Sequence, residues 1–199
     1  MMITEPCTLT GQLVRLEPLQ PGHAEELYAT GRELETWKYI PTNPCLSLET
    51  MQQWIADTLQ LQQKGEILPF AIIDLASGRV VGSTRYLAIM PSFYNLEIGW
   101  TWLDPSVRRS GINTECKYLL LQHAFEDWHA IRVQLKTDSR NLRSQAAIAR
   151  IGGVKEGVLR NHMIMPDGYR RHSVYFSILD SEWEQVKANL IVKMHVYEA

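Results

Sequence analysis

Two stretches of this chain carry residue types that could hold a phosphorylated ligand and move a proton beside it. The first is residues 96–114, LEIGWTWLDPSVRRSGINT, which reads as a buried strand, a break at Asp104-Pro105, a basic glycine turn and a helix start. In the turn Arg108-Arg109-Ser110-Gly111 successive backbone N–H groups can face one ligand, with Asn113 or Thr114 capping the helix that follows. Unpaired N–H groups and the helix dipole both favour an anion there, and two guanidinium forks suit phosphate. The second stretch is Asn141-Leu142-Arg143-Ser144, an N-cap asparagine with a serine hydroxyl on the first helical turn. Taken alone it is a helix cap. Glu97 completes the set as the one carboxylate in the apolar strand 96–103. Burial there fits it for proton transfer. The structural alternative pairs it with an arginine such as Arg85 on the next strand.

The rest of the composition narrows the ligand classes. A length of 199 residues suits one domain, 1–199, around a single core. Net charge is −2 and the pI is near 6.3, which leaves no case for broad nucleic-acid or anionic-membrane binding. Cys7, Cys45 and Cys116 are few, odd in number and without metal-type spacing, as in a reducing cytoplasm. Cys116 reads as a small core residue. His162 and His172 could approach one another across the last hairpin, yet two histidines make a poor zinc site. No metal is expected. The segment MMITEPCTLTGQ lacks a signal-peptide layout and no apolar run is long enough to span a bilayer, so the expected location is cytoplasmic.

Positioning these residues requires a framework of strands and helices. Alternation predicts a first strand over 11–19 and a short helix over 23–30, with a second short one at 33–37. Pro41 and Pro44 make 37–44 an aromatic loop. Ser47 should cap a helix reaching Lys64, with Thr50 at the capping-box position and Gly65 as its stop. Strands follow at 69–75 and 80–90 around a turn at 76–79, and the meander continues over 93–103. A helix is expected over 114–129, a strand over 131–137 and a helix over 141–151. The hairpin 154–165 and 169–179 and a last helix near 181–191 complete the chain. Antiparallel strands come first, and the crossover at 95–137 then supplies a parallel neighbour.

In that order, Arg108-x-x-Gly111 after Asp-Pro resembles the pyrophosphate loop of the GNAT acetyltransferases, whose signature is Gln/Arg-x-x-Gly-x-Gly/Ala. Asn113 stands where the signature has Gly or Ala. The run TDSRNLRSQAAIARIGGVKEGVLR is similar to the branch that includes the ribosomal-protein-alanine N-acetyltransferases. The resemblance spans roughly residues 9–190. It implies an α+β fold, a mostly antiparallel mixed sheet with a parallel strand pair at the cofactor site, flanked by helices. It also implies acetyl-coenzyme A as cofactor, its pyrophosphate on Arg108, Arg109, Ser110, Gly111, Ile112, Asn113 and Thr114. Asn141 would contact the pantetheine arm, and Ser144 would lie near the thiol and protonate it. Glu97 matches a strand position where several GNAT enzymes keep a catalytic Glu. The Tyr that many of them use as an acid, near the end of the corresponding helix, is replaced here by Ile148. A backbone N–H of Trp102 or Leu103 would serve the thioester oxygen, with Trp37, Tyr39 and Trp100 walling the acceptor pocket.

Acyl transfer to an amine needs that amine neutral. At pH 7 a Lys-like amine is neutral in about one molecule in 2,000, an α-amine in roughly a tenth, so a strong base is essential only for the former. The expected activity is therefore acetyl transfer to a primary amine in a ternary complex, the acceptor being a protein N-terminus, an amino acid or a small amine. A homodimer is possible. The alternative is a coenzyme A-binding regulatory module without turnover.

Overall fold

In a computed structural model, which describes residues 5–195, eight strands form one sheet in the order β1-β2-β3-β4-β5-β6-β8-β7. The strands are β1 (Leu9–Thr10), β2 (Val14–Pro18), β3 (Ile67–Asp74), β4 (Val80–Met90), β5 (Asn95–Leu103), β6 (Arg132–Asp138), β7 (Val154–Ile164) and β8 (Arg170–Leu179). Helices α1 (Ala24–Thr30) and α2 (Leu48–Gln63) precede β3, α3 (Ile112–Gln122) joins β5 to β6, and α4 (Leu142–Arg150) joins β6 to β7. Helix α5 (Asp180–His195) follows β8. Every neighbouring pair is antiparallel except β5 and β6. The expected α+β arrangement is the one observed. The tail beyond residue 195 and the first four residues lie outside the described residues.

Local sequence accounts for most element ends. Ser47 caps α2 through the Thr50 N–H, and the Thr50 hydroxyl receives the Ser47 N–H in return, a capping box built from two hydroxyls. Gly65, at φ 73°, follows the helix as expected. The first strand departs from the sequence reading: residues 11–13 form a turn, so the stretch is a β1–β2 hairpin. The cause lies a hundred residues away. The buried Glu115 carboxylate accepts the N–H groups of Gln12, Leu13 and Val14 at 2.8, 2.7 and 2.7 Å and ties that turn to α3.

Helix α3 also departs from the expectation. It begins at Ile112 with Gly111 as N-cap, so Asn113 and Thr114 lie inside the first turn and cap nothing. It closes at Gln122 with a π turn, His123–Asp127, where one continuous helix was expected.

Two apolar layers sandwich the sheet. Leu96, Ile98, Tyr86, Leu120 and Trp183 belong to the layer under α3 and α5, whereas Leu27, Trp37, Met51, Ile55 and Trp102 belong to the layer under α1 and α2. Strict alternation along β5 would put Trp102 on the face of Leu96 and Ile98. It lies on the opposite one. The change of phase occurs at Trp100, whose φ of 53° coincides with a register shift against β4 between Ser83 and Arg85.

Glu115 should therefore be a stability residue. Replacing it with Ala leaves three N–H groups without their acceptor and should cost about 2–3 kcal/mol in denaturant unfolding. A loss below ~0.5 kcal/mol, the range of an ordinary surface substitution, would refute the tie.

Candidate active site

The parallel pair is short. Its register holds at Asn95↔Arg132, Leu96↔Val133 and Glu97↔Gln134, after which β5 continues to Leu103 and β6 to Asp138 without pairing. The edge of β5 beyond Glu97 therefore presents backbone polar groups to a gap between strands. The sequence reading put the N–H donor to the thioester at Trp102 or Leu103; the strands part several residues earlier.

Glu97 stands where the strands part. It is 2 % exposed, and its Oε2 accepts hydrogen bonds from Gln134 Nε2 at 2.8 Å and Lys136 Nζ at 3.0 Å. Both donors come from β6, so the partner is not Arg85. Oε1 receives no donor from the described residues. Gly99 lies on the same face, and a Cβ there would stand 3.1 Å from Oε1.

Lys136 leads to a second set of groups on β7 and β8. Its ammonium lies 5.9 Å from the centre of the Tyr175 ring. The Tyr175 hydroxyl is 3.3 Å from His162 Nε2, and His162 Nδ1 is 3.0 Å from the Ser173 hydroxyl, which also accepts from Arg171 Nε at 3.1 Å. His162 reaches this cluster through a bulge: β7 gains residues against β8 between Leu159 and Met163, and Asn161 sits at φ 51°. The sequence reading had His162 and His172 able to approach one another across the last hairpin. They part company, since His172 Nδ1 accepts the Asn161 N–H while His162 faces Tyr175. No alternation pattern foretells a bulge, although Asn161 is a residue type that tolerates positive φ.

The ionisation states follow from these surroundings. Burial lowers the His162 pKa from its ordinary 6.5, with Lys136 and Arg171 acting in the same direction and Glu97 against them. Burial raises that of Tyr175, assisted by Glu97. Burial also pushes the thiols of Cys45 and Cys116 up to about 12 and about 11. Neither is a thiolate at neutral pH.

The basic turn occupies the far end of β5. Arg108 is extended and spends its guanidinium on Glu33 at 2.5 Å and the Thr36 hydroxyl at 2.6 Å. Arg109 is exposed at φ 64°, and the Ser110 hydroxyl donates to Val107 O and accepts the Ile112 N–H. Among the described residues no acceptor meets the N–H groups of Arg109, Ser110, Gly111, Asn113 and Thr114. The Thr114 hydroxyl takes a bond from Arg150 at 2.7 Å.

Asn141 caps α4 as expected, its Oδ1 accepting the Ser144 N–H at 3.0 Å, which leaves its amide N–H groups and the Ser144 hydroxyl without protein partners among the described residues. Ile148 is buried in the core. Of the four aromatics, Trp37 and Trp102 pack on one another 5.1 Å apart inside the α1–α2 layer, and the Trp37 indole donates to Gly31 O. Trp37 is thus packed in the core. Tyr39 and Trp100 are half-buried. The carbonyl of Tyr39 accepts from Arg171, its ring lies 5.7 Å from the Arg140 guanidinium, and the Trp100 ring lies 4.9 Å from that of Arg85.

Comparison with known proteins follows the same lines. Residues 14–154 match the Acetyltransferase (GNAT) domain family. The ribosomal-protein-serine acetyltransferase of Escherichia coli is 26 % identical over 172 residues, which cover 85 % of this chain and 94 % of that one. A GCN5-related N-acetyltransferase from Brucella melitensis superposes with a TM-score of 0.88 at 30 % identity, over 94 % of this chain and 85 % of that one. RimJ from Mycobacterium smegmatis, solved in complex with CoA-disulfide, gives 0.82 at 22 % identity over 97 % of each chain, a likeness of fold.

The cluster around His162 makes a pH prediction. A His with a lowered folded pKa favours the fold while neutral, so its contribution is present above pH 6.5 and is lost as pH falls through the folded value. Ring-proton NMR should show His162 titrating below 6.5, and Lys136→Met should move the midpoint upward. An unmoved midpoint would uncouple the two groups.

Proposed function

The chain belongs to the GNAT acetyltransferase family, and from that premise we propose that it acetylates a primary amine directly, in a ternary complex, with Glu97 as the proton acceptor. It is an N-acetyltransferase whose cofactor is acetyl-coenzyme A. The observation that carries the mechanism is the asymmetry of Glu97 at the parting of β5 and β6. One carboxylate oxygen is fixed by Gln134 and Lys136, and the other is left for an incoming proton.

The residues fit the cofactor. Five backbone N–H groups that meet no acceptor among the described residues stand at the start of α3 and suit a pyrophosphate, with Arg109 beside them. The unpaired edge of β5 and the free amide of Asn141 suit the amide groups of a pantetheine arm. When bound, acetyl-coenzyme A supplies the acetyl group as a thioester. On this reading Glu97 Oε1 takes the amine's proton, directly or through a water. Backbone N–H groups of β5 beyond the parting polarise the carbonyl that the amine attacks. The Ser144 hydroxyl supplies a proton to the departing thiol, the role left vacant by Ile148. Arg108 acts through its backbone and by holding Glu33 and Thr36. The high thiol pKa values of Cys45 and Cys116 favour direct transfer over a covalent acyl-enzyme.

Glu97→Gln keeps the shape of the side chain and should preserve the acetyl-coenzyme A melting shift while cutting turnover by about 10²–10⁴-fold near neutral pH. The deficit should shrink as pH rises, and should be smaller for an α-amine than for a Lys-like amine, whose deprotonation costs about 3 kcal/mol more. A mutant with the wild-type rate and pH profile would reduce Glu97 to a structural residue. If acetyl-coenzyme A binds but no amine releases thiol, the regulatory-module alternative takes its place.

The pyrophosphate assignment has its own test. Arg109→Ala should shrink the melting shift given by acetyl-coenzyme A, since a charge-assisted bond is worth about 1.5–3 kcal/mol. Arg108→Ala should instead lower the melting temperature of the free protein through loss of Glu33 and Thr36. The reverse pattern would move the phosphate contact to Arg108.

A further inference from the structure

Arg85, in β4, has surroundings that folding alone does not explain. Its guanidinium lies between the rings of Trp54 and Trp100, 5.1 and 4.9 Å from their centres, and the residue is 5 % exposed. Among the described residues no carboxylate meets it. Nε and Nη2 are both buried and lack any acceptor among the described residues. Burial pulls its pKa down to about 10, so the charge survives at neutral pH.

Buried donors are almost always satisfied, and a buried charge without a counter-charge destabilises a fold. The exception here is orderly. Two aromatic rings lie against the guanidinium, and the two orphaned nitrogens are neighbours along one edge of its fork. That edge is the one that takes both oxygens of a single carboxylate.

Its position relates it to Glu97. The register pairs Arg85 with Gly99 and Leu87 with Glu97, which makes Arg85 and Glu97 diagonal neighbours with Gly99 between them. Residues two apart on a strand share a face, and the phase change at Trp100 brings that ring to the same side. Any side chain at Gly99 would place its Cβ 3.1 Å from Glu97 Oε1. The same Cβ would stand 3.1 Å from Leu87 Cδ2, so glycine here keeps the side chains of Glu97 and Leu87 uncrowded on the face they share with Arg85. Trp54 and Trp100 are half-buried, so the sandwich borders solvent at their edges.

We propose that Arg85 is the carboxylate anchor of the acceptor site, and that the acceptor is an amine bearing a carboxylate a few bonds from its nitrogen. Diagonal neighbours on a sheet are about 7–8 Å apart, a span that a compact ammonium carboxylate bridges and a long diamine does not need. Two sources share this chemistry, a free α-amino acid and a peptide whose N-terminal residue is acidic. The proposal deepens the reading of Glu97 as proton acceptor and rests on it for the position of the amine.

Binding and turnover test it separately. In the presence of coenzyme A, calorimetry should show N-acetylalanine binding about 10- to 100-fold more tightly than N-acetylalaninamide. Arg85→Met should erase the difference, and Arg85→Lys, which keeps charge but loses the fork, should retain part of it. Melting curves of both variants check that the fold persists. An N-acetylaspartyl peptide amide that binds as tightly as N-acetylalanine would point to the peptide source, and one that binds as weakly as the amide to the free amino acid. Equal affinity for acid and amide in the wild type, or discrimination undiminished in Arg85→Met, overturns the proposal. Thiol release with alanine, alaninamide and the aspartyl peptide then separates the two claims. Selective binding with no release from any amine would leave the anchor standing and remove the transfer reading. Release without preference for the carboxylate would do the opposite.

Discussion

The structure depends on two parallel strands that stop pairing. β5 and β6 share only three register pairs, and beyond Glu97 and Gln134 each strand goes its own way. Separating strands inside a sheet exposes backbone groups that folding normally satisfies, at a cost comparable to a lost hydrogen bond for each. The flanks hold the gap open. On one side β4 pairs with β5 as far as Leu103, although a bulge at Trp100 turns the strand; on the other, β8 pairs with β6 as far as Asp138. The wedge is thus a property of the sheet, and a ligand with amide groups of its own can enter it as a strand would.

Six charged side chains are buried among the described residues, and four of them show how differently such a group can be handled. Glu115 is satisfied by three backbone N–H groups and does purely architectural work. Glu97 is half satisfied, with one oxygen held and one free. Lys117, buried in α3, donates to the Thr101 hydroxyl at 2.5 Å, and burial lowers its pKa. Arg85 is enclosed by rings with two nitrogens unmet. Burying a charge costs several kcal/mol unless its bonds are complete, so incompleteness is informative in proportion to depth. By that measure Glu115 points to the fold, and Glu97 and Arg85 point to a ligand.

The sequence disclosed what is local. Ser47 and Thr50, the turn at 76–79, Asn141 over Ser144 and the order of strands and helices were all legible, because each is set by residues within a few positions of one another. Glu97 was legible as the one carboxylate of an apolar strand. Its partners were not, because Gln134 and Lys136 come from a strand whose register only the folded sheet defines. The same limit applies to Glu115, whose bonds cross more than a hundred residues, and to His162, which a bulge of two residues delivers to Tyr175. Arg108 shows the same limit from the other side. Its place in a basic turn suggested phosphate, whereas Glu33 and Thr36 claim its side chain.

That claim on Arg108 has a mechanical consequence. The segment between α1 and α2 carries Glu33, Thr36 and Tyr39, and it is fastened at both ends. Arg108 holds it to the turn before α3, and Arg171 holds the Tyr39 carbonyl to β8. A further tie runs through Arg140, whose guanidinium lies 3.4 Å from the centre of the Tyr169 ring and is gripped by the fully buried Asp138. Burial opposes ionisation of Asp138, yet the bonds from Arg140 outweigh it and hold the carboxyl below its usual range. The segment is therefore a bridge from the basic turn before α3 to the hairpin that carries His162 and Tyr175. Any anion that drew Arg108 away from Glu33 would loosen one end of that bridge while Arg171 kept the other. The two sides of the wedge are coupled by an ion pair at one end and a backbone contact at the other, and the ion pair is the end that salt and ligand can reach.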